Sequence, residues 1–452
     1  MKIIVIGCGN VGSTIVKHLS MEGHDVTVVD SNEQIVKDAT SALDVMGIVG
    51  NGSTLGVLKE ADVVNADLVI AAMNSDERNL LACLIARKAG KCKTIARVRT
   101  PEYRKEIGYI KEELGLSMIF NPEFQASVEI ARLIKFPSAI EIDSFAKGRV
   151  DLMKFEVKDE CPLVNMSLKD MHKNLKSEVL ICVVERGEQT IIPNGDFVIN
   201  KGDKVYFVAP AKKTAQFFRT IGMLEERARN VMIVGGGQIT EYLASSLISS
   251  GCAVKIFEKD PKRASELAEI LPEAIVINAD GGDKDIISEE GIDKTQAFVA
   301  LTNRDEENVM MSIYAKKVNS KAKLITKVHR STYDDIISDL NLGSIINPKL
   351  ITGQNVAQFV RALQNSVGSN IETLYKLNEG RAEALEFIVR EKSGLVDVPL
   401  MDLKLKPNVL IACIVHNGVV ETPKGTSQIA VGDTVIVVTT TTGFSDIKDI
   451  LR

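Results

Sequence analysis

No apolar run in the 452-residue sequence approaches the roughly 18 residues needed to cross a bilayer; the longest candidates, such as Leu68 to Met73, are strand-sized. The chain is therefore not expected to be an integral membrane protein. A charge bias is lacking too, since Lys plus Arg number 55 against 60 Asp plus Glu, a net charge of −5. A dedicated nucleic-acid binder normally carries a basic domain, so this balance argues against one. With 45% hydrophobic and 25% charged residues, the composition is also far from that of disordered chains. The seven cysteines (Cys8, Cys83, Cys92, Cys161, Cys182, Cys252, Cys413) are dispersed and form no C-x-x-C. They fit reduced thiols packed inside a cytoplasmic protein. The five histidines (His18, His24, His172, His329, His416) are equally scattered, so neither a metal site nor a nucleophile triad is expected. Lys2 precedes a short apolar run that ends at Gly7, which reads as a first strand and not as a signal peptide.

What the sequence does contain is a repeat. A prior of about 150 residues per domain suggests roughly three domains, but the repeat revises this to four modules. Residues 3 to 30 lie over residues 231 to 258 without a gap and share five identities: Gly7/Gly235, Gly9/Gly237, Leu19/Leu247, Gly23/Gly251 and Val26/Val254. Both copies run strand, glycine turn, helix, glycine stop, second strand and terminal carboxylate. The register continues through Asn74-Ser75-Asp76-Glu77 over Asn303-Arg304-Asp305-Glu306, Arg97-Val98 over Lys327-Val328, and Asn121-Pro122 over Asn347-Pro348. Short apolar runs alternating with helical stretches predict a parallel sheet wound with helices on both faces.

After each unit the texture changes to short strands, at 151 to 157, 179 to 186, 189 to 193 and 203 to 209, then at 384 to 389, 409 to 416, 419 to 422 and 433 to 439. Gly, Pro and Asn corners separate them. The expected fold class is α/β, a duplicated Rossmann-like doubly wound parallel sheet, each copy followed by a small α+β lobe. The module boundaries are expected at 1–137, 138–222, 228–366 and 370–452. Residues 124–136 and 351–363 have apolar residues at helical spacing with mixed charges between them, and are expected to be amphipathic crossover helices that pair the units. A membrane-surface role for them is the alternative.

Gly7-x-Gly9-x-x-Gly12 follows a strand and opens a helix, as a dinucleotide fingerprint requires. The first glycine makes the turn, the second lets the backbone approach a pyrophosphate, and the third lets the helix pack closely. The helix N-terminus then offers free N–H groups to the phosphates. Asp30, eighteen residues past Gly12, is placed to bond ribose hydroxyls. Asp30 and Glu258 both disfavour a 2′-phosphate, so NAD(H) is preferred to NADP(H); ATP, which also has a free ribose diol, stays open. The second copy reads Gly235-Gly236-Gly237-Gln238-Ile239-Thr240, and Thr240 in the third glycine position is expected to push the helix slightly off the strand, leaving occupancy of that site open.

The duplicated fingerprint, the segments at 74–79 and 303–308, the Ala96-Arg97-Val98 strand, the Asn121-Pro122 corner and the trailing small modules at Gly148 and Gly380 together resemble the TrkA family. Its members are potassium-uptake regulators with two regulator-of-potassium-conductance (RCK) units per chain. The resemblance covers essentially all of the sequence. It implies a non-catalytic cytoplasmic subunit, peripheral to the inner face of the cell membrane, assembled as a homo-oligomeric ring, dimer or tetramer. Its partner would be a potassium-translocating membrane subunit of the TrkH or KtrB type, gated by NAD(H) or ATP/ADP, with no nucleic acid involved. The small lobes would be secondary ligand sites or oligomer contacts, and in some relatives they bind cyclic di-AMP.

Carried over residue by residue, Gly7, Cys8, Gly9, Asn10, Val11 and Gly12 would hold phosphates and Asp30 the adenosine ribose. Asn51, beside Gly52, stands where the family usually has an acid near adenine; Asp280 retains that acid in the second half. Met73 and Asn74 end the fourth strand at the sheet edge, as do Thr302 and Asn303. Arg97 and Lys327 would supply positive charge to phosphates or a neighbouring subunit, with a sheet-edge salt bridge as the plainer role. Glu123 would contact nucleotide or cation across the dimer, whereas Lys349 replaces it in the second half. Gly235, Gly236, Gly237, Gln238, Ile239 and Glu258 complete the second site. The rival reading is an NAD-dependent oxidoreductase with tandem Rossmann domains. It needs a proton donor or base beside the nicotinamide, and each small lobe offers one histidine, His172 or His416.

Overall fold

The computed structural model describes residues 1–175, 179–223, 228–329, 340, 342–365, 371–391, 394–444 and 446–452. The proposed boundaries at 366 and 370 lie outside them. The first six strands are β1 (Lys2–Ile6), β2 (Asp25–Asp30), β3 (Met46–Val49), β4 (Leu68–Ala71), β5 (Lys93–Arg97) and β6 (Met118–Phe120). They form one parallel sheet in the order β3-β2-β1-β4-β5-β6. Residues Ile3 to Ile6 and Leu68 to Ala71 are buried without alternation, because helices cover both faces. Those helices are α1 (Asn10–Met21), α2 (Glu33–Ala42), α3 (Leu55–Glu60), α4 (Asp76–Gly90), α5 (Ile107–Glu113) and α6 (Pro122–Lys135). The strand order reverses between β1 and β4, and this switch point opens a crevice at the strands' carboxyl ends.

The second half repeats the plan with β12 (Asn230–Val234), β13 (Ala253–Glu258), β14 (Ile275–Asn278), β15 (Ala297–Ala300), β16 (Lys323–Lys327) and β17 (Ser344–Ile346), ordered β14-β13-β12-β15-β16-β17. Between the halves and after the second lie two antiparallel sheets. One is built from β7 (Glu141–Phe145), β8 (Val150–Glu156), β9 (Leu180–Arg186), β10 (Gln189–Ile191) and β11 (Lys204–Pro210), in the order β10-β9-β11-β8-β7, with helices α7 (Leu168–Leu175) and α8 (Thr214–Thr220). The other is built from β18 (Ile371–Leu377), β19 (Ala382–Ile388), β20 (Val409–His416), β21 (Val419–Glu421) and β22 (Thr434–Thr439), in the order β18-β19-β22-β20-β21. The edge strands β7 and β18 had no place in the sequence expectation. In β7, Glu141, Asp143 and Ser144 interrupt the apolar pattern, as charges on edge strands do.

The halves interlock. Helix α6 packs not on its own sheet alone but on α9 (Gln238–Ser249) of the other half, where Ile130, Leu133 and Ile134 share a core with Leu243 and Leu247. Reciprocally, the last long helix (Pro348–Asn365) lies on α1, burying Val356 and Val360 against Val11, Ile15 and Leu19. Most of each apolar face is thus covered by protein, with Val128 and Leu350 left exposed. The small lobes meet through a further core in which Phe145, Leu152 and Tyr206 oppose Leu377, Ala384 and Ile436, with the Phe145 and Tyr375 rings edge-on at 5.0 Å.

Glu129 of α6, half-buried near Glu141, has its carboxyl pushed up to about 7, first by burial and then by Glu141, with Arg132 opposing. A carboxyl with a raised folded-state pKa contributes stability below the ordinary carboxylate range and loses it as pH rises towards 7. Glu129→Gln is therefore expected to raise the thermal midpoint at pH 8 by roughly 2–4 °C, with the gain shrinking as pH falls towards 5, as scanning calorimetry would record.

Candidate functional site: two glycine turns and a shared cleft

In the second half, β12 runs into Gly235 at φ +103°, where a Cβ would lie 2.9 Å from the Leu301 carbonyl carbon. The turn then delivers α9, whose N-cap Gly237 has no side-chain cap, so the first N–H groups remain available to an anion. A cavity of about 980 Å³ opens there, lined by Gly235, Gly236, Gly237, Gln238, Glu258, Asp280, Thr302 and Asn303. The Glu258 carboxylate accepts from Gly236 N at 2.7 Å with one oxygen and from Asp260 N at 2.7 Å with the other. Each oxygen keeps a lone pair for a hydroxyl donor. Asp280 accepts from Gly282 N at 2.9 Å and shapes the turn after β14.

Arg263 was not anticipated from sequence. It lies in the first turn of the helix Pro261–Ile270, donates from Nε to the Gly236 carbonyl at 2.8 Å, and pairs with Glu241 at 2.8 Å, forming one wall of the cavity. The Asp260-Pro261 helix start, one turn ahead of an arginine, is the signal that could have found it. The first-half counterpart is Ile35, so this wall is not duplicated.

The first half builds the same scaffold. Asp30 accepts from Cys8 N at 2.8 Å and from Asn32 N at 2.9 Å. Asn51 accepts from Ser53 N at 3.0 Å, performing the turn-shaping task of Asp280 without its charge. A Cβ on Gly52 would lie 2.2 Å from Ile6 Cγ2, and one on Gly7 2.8 Å from Met73 N, so both positions need glycine. A Cβ on Gly12 would stand 1.9 Å from the Gly7 carbonyl oxygen. Thr240 occupies the equivalent place in a helix that starts at the corresponding residue, and its hydroxyl donates to the Gly235 carbonyl.

The segments 74–79 and 303–308 owe their likeness to a buried asparagine. Asn79 accepts from Met73 N at 2.8 Å and donates to Met73 O and Arg97 O, each at 3.0 Å. Asn308 does the same with Thr302 N at 2.9 Å, Thr302 O at 3.0 Å and Lys327 O at 3.0 Å. One side chain thus ties the ends of the fourth and fifth strands of each sheet. The motif is visible in sequence, but this role is not.

Across the junction, a second cavity of about 560 Å³ is lined by Gly9, Asn10, Val11, Asn74, Arg97 and Glu123 from the first half and by Gln238, Ile239, Asn303 and Lys327 from the second. Lys327 and Ile239 therefore line the shared cleft and not the larger second-half cavity. Arg99, His329 and Lys349 add further positive or titratable groups. Arg97 pairs with Glu123 at 3.2 Å, which realises the salt-bridge role, yet Arg97 Nε and Glu123 Oε2 are buried without a hydrogen-bond partner among the described residues. Such orphaned polar atoms point to a missing polar occupant. Burial lowers Arg97 against the pull of Glu123. Lys327, donating to Leu301 O at 2.9 Å, is pushed down to about 8 by burial, with Asp305 and Glu123 opposing.

The TrkA-N domain family matches residues 3–122 and 231–348, and the TrkA-C domain family residues 152–222 and 384–452. The chain belongs to the TrkA family. It is 31% identical over 99% of its length to Trk system potassium uptake protein TrkA homolog 1 of Methanosarcina mazei, covering 99% of that protein. It is 33% identical over 92% of its length to Trk system potassium uptake protein TrkA of Halomonas elongata, covering 91% of that protein. Among solved structures, the GsuK channel matches 97% of this TrkA-family chain and 76% of its own at TM-score 0.65 and 15% identity. The GsuK channel bound to NAD matches the same shares at TM-score 0.63 and 15% identity. Those two likenesses concern the fold.

Proposed function

We propose that this chain is a nucleotide-binding regulatory subunit of a Trk/Ktr-type potassium-uptake system, acting on a potassium-translocating membrane subunit of the TrkH or KtrB type. The observation that carries this reading is the pair of glycine turns, each clamped by its carboxylate, facing one another across a single cleft that holds Arg97, Arg99 and Lys327. A nucleotide at either turn places phosphates next to cations from both halves. Because α6 and the helix Pro348–Asn365 are each packed on the opposite half, a change in cleft width is carried to the small lobes. NAD(H) is the favoured ligand, since Asp30 and Glu258 accept ribose hydroxyls and repel a 2′-phosphate; ATP or ADP meets the same test. In this proposal Gly7, Cys8, Gly9, Asn10 and Val11 hold phosphate, as do Gly235 to Ile239, and copies assemble as a ring, dimer or tetramer, on the cytoplasmic face of the membrane. The four modules at 1–137, 138–222, 228–366 and 370–452 are its working parts.

Asp30→Ala combined with Glu258→Ala is expected to weaken NADH and ATP binding at least roughly tenfold by calorimetry with the fold intact. Unchanged affinity for both would overturn the site assignment, and steady NADH consumption with a carbonyl substrate would favour the oxidoreductase. The Lys327 ammonium is charged below about 8 and neutral above it. Nucleotide affinity should therefore fall several-fold as pH rises from 7 to 9, and Lys327→Arg should flatten that profile.

A further inference from the structure

A third cavity, of about 740 Å³, lies on the opposite edge of the second N-lobe from the glycine turn, where that lobe meets the connector between α6 and β7. Its wall carries Lys158, Lys294, Lys316, Lys321 and Lys323, against Glu156 as the one acid among the lining residues. On a chain with a net charge of −5, five ammonium groups around one concavity are a local reversal of sign. Some of these lysines also have structural duties. Buried Lys323 donates to the Ala139 carbonyl, and Lys316 donates to Leu340 O at 3.1 Å. Lys158, Lys294 and Lys321 are exposed.

The place is built as a joint. Ser344 donates to Ile140 O at 2.8 Å and Ser138 to the Met223 carbonyl, so residues 138–140 are fastened both to the second sheet and to the end of the first small lobe. Lys158 follows β8 of that lobe, whereas Lys294, Lys316, Lys321 and Lys323 belong to the second N-lobe. An anion in the cavity therefore touches two modules.

The duplication supplies an internal control. Strand pairing sets Ala297 opposite Lys323 and Leu68 opposite Lys93, which makes Lys294 the counterpart of Asn65 and Gln296 that of Asp67. In the first half Asp67 accepts from Lys2 N at 2.8 Å, and its carboxylate would repel an anion. Lys321 and Lys323 have first-half counterparts in Lys91 and Lys93, so the difference between the halves rests on Lys294 and on the Asp67 carboxylate.

We propose that this cavity binds a ligand carrying two or more phosphate groups. Several ammonium groups around a concave site recognise multivalent phosphate as point charges, with an affinity that falls as salt rises. The site is distinct from both glycine turns and independent of what they bind. A soluble polyphosphate and an anionic lipid headgroup share this chemistry, and the test separates them.

The full chain would be titrated with tripolyphosphate by calorimetry, and separately sedimented with vesicles of phosphatidylglycerol or of phosphatidylcholine. The partner variant is Lys158→Gln with Lys294→Gln and Lys321→Gln, chosen because these side chains are exposed. Tripolyphosphate should bind the unaltered chain and raise its thermal midpoint, and the variant should bind on the order of tenfold more weakly or worse. If instead only phosphatidylglycerol vesicles retain the chain, and the variant is released, the source is a lipid headgroup. Equal tripolyphosphate binding by both proteins, or no binding of either probe, overturns the proposal. Should the triple variant melt early, Lys294→Asn with Gln296→Asp transplants the first-half residues and is read in the same way.

Discussion

Gly12→Ala is expected to destabilise the first half by about 2–4 kcal/mol and to abolish nucleotide binding at its turn while leaving the second turn intact. The reason is geometric. The new methyl would sit 1.9 Å from the Gly7 carbonyl oxygen and 2.9 Å from its carbon, and neither backbone atom can rotate away. Relief requires α1 to move off β1, which disturbs Ile15, Val16 and Leu19 in the core and the packing of Val356 and Val360 from the other half. The companion change Thr240→Ala should cost only roughly 1 kcal/mol, the worth of its hydroxyl bond to Gly235, because the second half already accommodates a side chain at that position. Scanning calorimetry of the two variants, with NADH titrations, measures the difference. Equal effects would mean that the two turns do not differ in the way described.

Asn79→Leu should have a comparable or larger effect, about 3–5 kcal/mol, since it orphans Met73 N, Met73 O and Arg97 O at a fully buried position. Asn308→Leu should do the same in the second half. The loss is not only one of stability. Met73 lies against Gly7, and Arg97 lines the cleft, so loosening these strand ends should also blunt nucleotide affinity. A midpoint unchanged by either substitution would show that the clamp is dispensable.

The β1–glycine–α1 unit is legible because three independent signals agree there: an unbroken apolar strand, the Gly7-x-Gly9-x-x-Gly12 spacing, and a carboxylate at the end of β2. The same agreement made the repeat visible with only five identities, and it exposed the Thr240 exception. The small lobes were readable from strand-sized runs between turn residues, except for β7 and β18, whose alternating charges hide edge strands. What no local pattern carries is pairing at a distance. Residues 124–136 reveal an apolar stripe, but not that the stripe faces α9 of the other half. For the same reason Arg97 and Lys327 could be placed at strand ends, yet not on one cleft with Arg99, His329 and Lys349. Arg263 escaped because its function depends on a carbonyl from the glycine turn and a carboxylate from α9.

Nucleotide at these turns is proposed to control potassium movement through another polypeptide. The most direct test is potassium flux into vesicles containing a TrkH- or KtrB-type membrane subunit, with this chain added, in the presence and absence of NADH or ATP. The flux is expected to depend on both the chain and the nucleotide, and to become nucleotide-insensitive with Asp30→Ala and Glu258→Ala together. Flux that is the same with and without nucleotide, using the unaltered chain bound to its membrane subunit, would contradict it.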